Sequence, residues 1–221
     1  MRKLFIVTHL GMGDHIVIHG IVKYLSESYH IFLPCKYHNL PSVQMLCEGL
    51  NVTVIPVRDD QDMGQKVQSF TSGDVLALGY FGHNFMTDGD SFDVSFYKQA
   101  GIEFEESWNV DIPEGFNSET LFQTYEGKPY VFVHQDIERG YNIRNEYLPE
   151  GLDVVEPSRL DTIFDYTTTI RNAKEIHCID SSFALMIDRM RLPKDIKKYI
   201  HLYSRQNAEN PQWIDGWEIV K

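Results

Sequence analysis

Two spacings of apolar residues take turns along this chain. The first run, Lys3-Leu4-Phe5-Ile6-Val7-Thr8, is short, continuous and rich in β-branched and aromatic residues, as in a strand buried on both faces. After the turn His9-Leu10-Gly11-Met12-Gly13-Asp14-His15, apolar residues recur at Ile16, Ile18, Ile21, Val22 and Leu25, which is helical spacing. The alternation then repeats. Strands are expected at residues 29–34, 52–57 and 74–79, the first of them stopped by Pro34. Helices are expected at residues 39–50, at about 65–70 and at 91–100, the last stopped by Gly101.

From Trp108 to Gly127 the periodicity weakens and Pro113, Gly115 and Asn117 punctuate the chain, apart from a short helical stretch at 118–125. A second block in the same style follows. Strands are expected at 130–134, 153–157, 175–179 and 199–203, and helices at 162–173 and 183–190. A tail carrying Pro211, Trp213 and Trp217 closes the chain. Strand and helix in alternation predict an α/β protein with parallel sheets. The expected architecture is two small Rossmann-like parallel-sheet halves facing across a cleft, residues 1–115 and 116–221.

Composition narrows the chemistry. The apolar content of 43% and charged content of 24% are ordinary for a globular protein. A net charge of −12 argues against a polymeric nucleic acid as partner, since phosphate-backbone binding needs dense Lys/Arg patches. No apolar run approaches the roughly 18 residues of a membrane span, and none near the N-terminus forms a signal segment, so a cytoplasmic location is expected. Cys35, Cys47 and Cys178 lack metal-ligand spacing and are expected to be reduced and buried.

Three stretches carry candidate chemistry. In the first turn, Gly11 and Gly13 are expected to permit unusual backbone angles and close approach of a ligand, with Asp14 as helix cap or general base. The turn is neither a GxGxxG fingerprint, because Ile16 stands at the third position, nor a P-loop. His15 and His19 lie four apart, as metal ligands can, but no third ligand stands near and no metal is expected. In the second stretch, Asp180-Ser181-Ser182 ends a strand and opens a helix, where hydroxyls and free N–H groups suit a diphosphate. In the third, His134 ends a strand and Arg139 follows in the loop, either to meet phosphate or to pair with Asp136 or Glu138. Glu156, at another strand end, is placed to accept from ribose hydroxyls. The loop of Tyr80 to Phe85, with His83 and Asn84, is the candidate lining of an acceptor pocket. Asp88-Gly89-Asp90 has the letters of a metal-nucleotide motif without the strand context.

Taken together, these residues resemble the GT-B glycosyltransferases, and most closely the ADP-heptose:lipopolysaccharide heptosyltransferase-like group. The resemblance rests on Gly11-Met12-Gly13-Asp14 opening the first helix, on Asp180-Ser181-Ser182 opening a late one, and on the strand-end Glu156. It implies that Asp14 is the base that deprotonates an acceptor hydroxyl. It also implies a nucleotide-diphosphate sugar held by Asp180, Ser181, Ser182 and Glu156, with Arg139 as substitute for the lysine; Gly11, Gly13 and His134 are further candidates on the donor, and His15, His83 and Asn84 on the acceptor side. The implied partners are a nucleotide sugar and a glycan or lipid-linked acceptor, with no separate cofactor. The chain departs from the group in its short second half, in Leu185 where a histidine is common, and in having Arg139 in place of a lysine; an arginine there fits a fucosyltransferase-like branch equally well. The rival readings are a sugar-nucleotide epimerase or hydrolase on the same scaffold, and a non-catalytic nucleotide- or glycan-binding module.

Overall fold

The computed structural model describes residues 1–87, 89–158, 162–204 and 216–221. Asp88, Pro211 and Trp213, singled out above, lie outside the described residues. The chain divides into two compact units, Met1–Asp111 and Ile112–Lys221.

In the first unit, β1 (Arg2–Val7) leads through the glycine turn into α1 (Met12–Val17) and α2 (His19–Ser26), a helix interrupted at Ile18. Then follow β2 (Tyr29–Lys36), α3 (Leu40–Leu46), β3 (Val52–Val57), α4 (Asp60–Ser69), β4 (Asp74–Ala77) and α5 (Phe92–Ala100). The strands are parallel in the order β3-β2-β1-β4. Residues 15–22 are buried without a break. This happens because the helix is covered on both sides: strands lie beneath it, and Tyr97 of α5 donates its hydroxyl proton to the Val17 carbonyl at 2.9 Å. Ile16, Ile18 and Ile21 are fully buried there, each contributing roughly 1.5–3 kcal/mol by leaving water.

Pro34 does not stop β2, which runs on to Lys36. Proline is tolerated because β2 pairs with β1 only as far as Phe32. Beyond that point β2 pairs with β3 alone, and one side of the strand has no ladder for the missing N–H to break.

In the second unit, α6 (Ser118–Gln123), β5 (Tyr130–His134), β6 (Asp153–Val155), α7 (Thr167–Arg171), β7 (Glu175–Cys178), α8 (Ser182–Arg189), β8 (Lys197–His201) and β9 (Trp217–Val220) build a parallel sheet in the order β6-β5-β7-β8-β9. The helix expected at 162–173 is a 3₁₀ turn, Ile163–Tyr166, followed by the short α7. Three consecutive threonines, Thr167 to Thr169, open α7, and β-branched residues stiff at χ1 are poor helix formers, in keeping with its five-residue length. The turn starts at a capping box in which Thr162 and Asp165 exchange hydrogen bonds. β9 was expected to be tail. Only four residues long and half exposed at the sheet edge, it has too little apolar pattern to announce itself.

Glu114 and Gly115 are tied to this unit by their bonds. Glu114 pairs with Arg171, and the Gly115 N–H donates to the Phe164 carbonyl. On one face of the sheet Phe132 meets Phe183 of α8 and Tyr130 donates its hydroxyl to the Thr169 carbonyl; the other packs Val131 and Val133 with Ile143 and Ile179. Cys35, Cys47 and Cys178 are buried and unpaired, and burial pushes the first two thiols up to about 12. Among the described residues no helix is long and apolar enough to cross a membrane.

Candidate functional site

Each unit has one place where neighbouring strands send their connections to opposite sides, and there ligands of open α/β sheets collect, beyond the strand C-termini. In the first unit it lies between β1 and β4, in the second between β5 and β7. The candidate residues gather at these two places.

At the end of β1, His9 Nδ1 stands 3.1 Å from Asp14 Oδ1. His9 Nε2 accepts the backbone N–H of Tyr80 at 3.0 Å, from the 3₁₀ turn Gly79–Phe81 that follows β4. The two loops meet because β1 and β4 are neighbours in register, with the Leu78 N–H bound to the Val7 carbonyl at 2.8 Å. Two glycines make room. A Cβ on Gly11 would collide with the Asp14 carboxylate, and one on Gly79 with the His9 ring. Gly11 has ordinary backbone angles, φ −75° and ψ 150°, and Gly13 lies within the first turn of α1 with no positive φ, so the expected unusual conformation is not present. What Gly11 supplies is the empty space that the carboxylate occupies. Both side chains remain partly accessible, His9 at 14% and Asp14 at 18%.

Aromatic rings close around the pair. His9 stacks on Tyr80 at 4.6 Å and meets Phe81, Phe85, Phe92 and Phe96 nearly edge-on or tilted, all within 5.9 Å. Gln99 of α5 pins the loop from below: its amide oxygen accepts the Gly79 N–H, and its nitrogen donates to the carbonyls of Gly79 and His83. Tyr80 is 74% exposed, and Phe81, His83 and Asn84 are exposed beside it.

His15 does not join this group at an accessible surface. It is 1% exposed, and neither ring nitrogen meets a hydrogen-bond partner among the described residues. It points into the core because position 15 falls on the enclosed stretch of the helix, and desolvation drives its pKa down to about 4. His19 is buried likewise and is also lowered to about 4, first by burial and then by Lys23. Among the described residues no three His, Cys, Asp or Glu side chains converge as metal ligands.

In the second unit, the adjacent strands β6, β5 and β7 end at one edge, bringing Glu156, His134 and Asp180 to it. Ser181 caps α8 by accepting the Ala184 N–H at 3.5 Å, and its hydroxyl lies 3.0 Å from His134 Nδ1. His134 stacks on Phe183 at 4.4 Å. Burial lowers its pKa to about 4, so the ring is neutral, and its tautomer sets which of Nδ1 and the Ser181 hydroxyl donates. Gln135, which the sequence reading did not select, ties two connections together: its amide donates to Glu156 at 2.9 Å and accepts the Ile143 N–H at 2.8 Å. Arg139 is exposed at 71% and pairs with Asp136 at 2.6 Å, with Tyr141 under its guanidinium. Asp136 also caps that turn by accepting the Arg139 N–H. Asp180 and Ser182 are half buried on either side of Ser181.

Thus Asp14, His83 and Asn84 belong to the β1/β4 place, and His134, Glu156, Asp180, Ser181, Ser182 and Arg139 to the β5/β7 place. Gly11 and Gly13, expected on the donor, lie with the first group. The residues missed are His9, Gln99 and Gln135. Each acts through a partner distant in sequence; His9 also meets Asp14, a five-residue separation that carries no motif.

No protein-family model matches this sequence, and no curated protein matches it. Solved structures do. A glycosyl transferase family 9 protein from Veillonella parvula DSM 2008 superposes with a TM-score of 0.54 at 10% identity, over 90% of this chain and 80% of that one. The bacterial iron-containing dodecameric glycosyltransferase TibC from enterotoxigenic E. coli H10407 gives 0.56 at 9% identity, over 90% of this chain and 58% of TibC. The chain has the fold of these glycosyltransferases. The same heptosyltransferase has been solved in complex with ADP-D-beta-D-heptose, and that structure gives 0.53 at 9% identity, again over 90% of this chain and 58% of that one. The chain therefore spans somewhat less than two thirds of the length of TibC.

Proposed function

We propose that this protein is a glycosyltransferase that moves a sugar from a nucleotide-diphosphate donor to an acceptor hydroxyl, with Asp14 as general base. The observation that carries the reading is the Asp14 carboxylate held by His9 at the β1/β4 switch point, in a unit whose fold is that of glycosyltransferases. A partly accessible carboxylate in a rim of aromatic rings suits a sugar hydroxyl: the rings offer apolar faces to C–H groups, and the carboxylate takes the proton. The donor is assigned to the second unit. There the Ser181 hydroxyl, the free N–H groups of α8 and the nearby Arg139 would meet negative charge growing on the leaving diphosphate. Arg139 must exchange its Asp136 contact for phosphate to do so. Glu156 and Gln135 would take the ribose. TibC has been solved with ADP-D-beta-D-heptose, which supports a nucleotide-diphosphate sugar as the donor class. This scheme calls for no metal or further cofactor.

In the reaction, Asp14 accepts the proton of the acceptor hydroxyl as its oxygen attacks the anomeric carbon. The bond from that carbon to the diphosphate breaks, and its electron pair leaves with the nucleotide.

Replacing Asp14 by Asn keeps size and hydrogen bonding and removes the base. Transfer should fall about 10²–10⁴-fold while the donor binds almost as before, read by product formation and by calorimetry with nucleotide diphosphates. Unchanged turnover in Asp14→Asn would remove this residue from the mechanism. Rapid consumption of a sugar nucleotide without acceptor would favour the epimerase or hydrolase reading. No thermal shift with any nucleotide diphosphate would count against an enzyme acting on such donors.

A further inference from the structure

Resting on the reading of Asp14 as base, we infer that His9 is its positioning residue and takes no part in proton transfer. A backbone N–H can only donate, so the Tyr80 N–H at 3.0 Å fixes His9 Nε2 as the acceptor nitrogen. The ring proton is therefore on Nδ1, and Nδ1–H donates to Asp14 Oδ1 at 3.1 Å. Both nitrogens are engaged. For His9 to be the base itself, Nε2 would have to give up the Tyr80 N–H, and that N–H belongs to a turn anchored by Gln99 at Gly79.

Turning the ring over would lose both hydrogen bonds at once. The stack on Tyr80 and the contacts with Phe85, Phe92 and Phe96 hold its plane. On the other side, Asp14 Oδ2 lies over the bare Cα of Gly11. One carboxylate oxygen is thus bound to the histidine and the other is directed by the space that Gly11 leaves. A base fixed in this way needs no rearrangement when the acceptor arrives. The proton passes from the acceptor hydroxyl to Oδ2 and then to water; His9 keeps its own proton throughout.

Two substitutions separate the two hydrogen bonds. In His9→Asn the amide nitrogen stands close to the Nδ1 position and keeps the donor to Asp14 while losing Tyr80. In His9→Gln the amide reaches the Nε2 position, keeping an acceptor for Tyr80 and losing Asp14. Both remove the ring from its aromatic neighbours, so a merely structural role predicts equal losses. The positioning role predicts a kcat about 100-fold lower in His9→Gln with the donor KM unchanged, most of it recovered in His9→Asn, at similar melting temperatures. Equal kcat values in the two variants, or a defect confined to KM, would overturn it. Nitrogen-15 NMR of the wild-type ring needs no substrate: a signal pattern with the proton on Nδ1 and an unprotonated Nε2 is expected, and any other protonation pattern overturns the assignment. If the wild-type protein transfers no sugar, the proposed function fails and the NMR result still decides the histidine.

Discussion

Gly11 acts through what it lacks. Its backbone angles are open to alanine, so the only thing a methyl group disturbs is the carboxylate lying over it. Gly11→Ala should therefore leave the melting temperature nearly unchanged, with a loss of about 1 kcal/mol or less from the helix start, while kcat drops on the order of 100-fold. A variant with full turnover would show that the carboxylate can stand elsewhere. At the residue scale the sequence shows some side chains and hides the direction in which others point. Asp14 was legible because an acidic residue just inside a glycine turn is a recognisable pattern. His15 stands next to Asp14 in sequence and His9 five residues away, yet adjacency in sequence says nothing about which face of a helix meets the core. Position 15 is enclosed, and position 9 sits in a loop that a distant strand brings against Tyr80.

At the scale of elements, α8 is the clearest test of the donor assignment. Ser181 has two tasks, as helix cap and as partner of His134. Ser181→Ala should cost roughly 1 kcal/mol of stability and weaken binding of a nucleoside diphosphate several-fold. Ser182→Ala leaves the cap in place and should weaken binding with little change in stability, as measured by calorimetry beside a thermal melt. If neither variant alters affinity, the diphosphate is not held at this helix. Long apolar runs and helical stripes were legible: β1, β2, β3, β5 and β7 follow from composition alone. β9 and the 3₁₀ start at Ile163 did not announce themselves, because a short edge strand buries little and the same apolar spacing fits a 3₁₀ turn leading into a helix as well as one continuous α-helix.

For the molecule as a whole, buried histidines set the response to acid. His15 ionises near 6.5 when unfolded but only at about 4 in the native state, because burial penalises the charged form. The unfolded chain thus binds the extra proton between those values, so stability is full above pH 6.5 and is lost as pH falls toward 4. His19 and His134 act in the same direction. Asp188 is pushed up to about 6 by burial and acts in the opposite one, holding its proton in the native state. Between pH 7.5 and 5.5, His15 should account for about 1 kcal/mol of lost stability in urea titrations. His15→Leu should flatten that dependence; an unchanged slope would mean the imidazole meets water in the native protein. Most of the succession of strands and helices along the chain, the two-block plan, and the candidates Asp14, Ser181 and Glu156 were determined by sequence, since local periodicity and turn chemistry encode them. The pairing of His9 with Asp14 and Tyr80, of His134 with Ser181, and of Gln135 with Glu156 was decided only by tertiary structure. Those contacts depend on which parallel strands become neighbours, and strand order is settled by the packing of the whole sheet, which no single stretch of sequence contains.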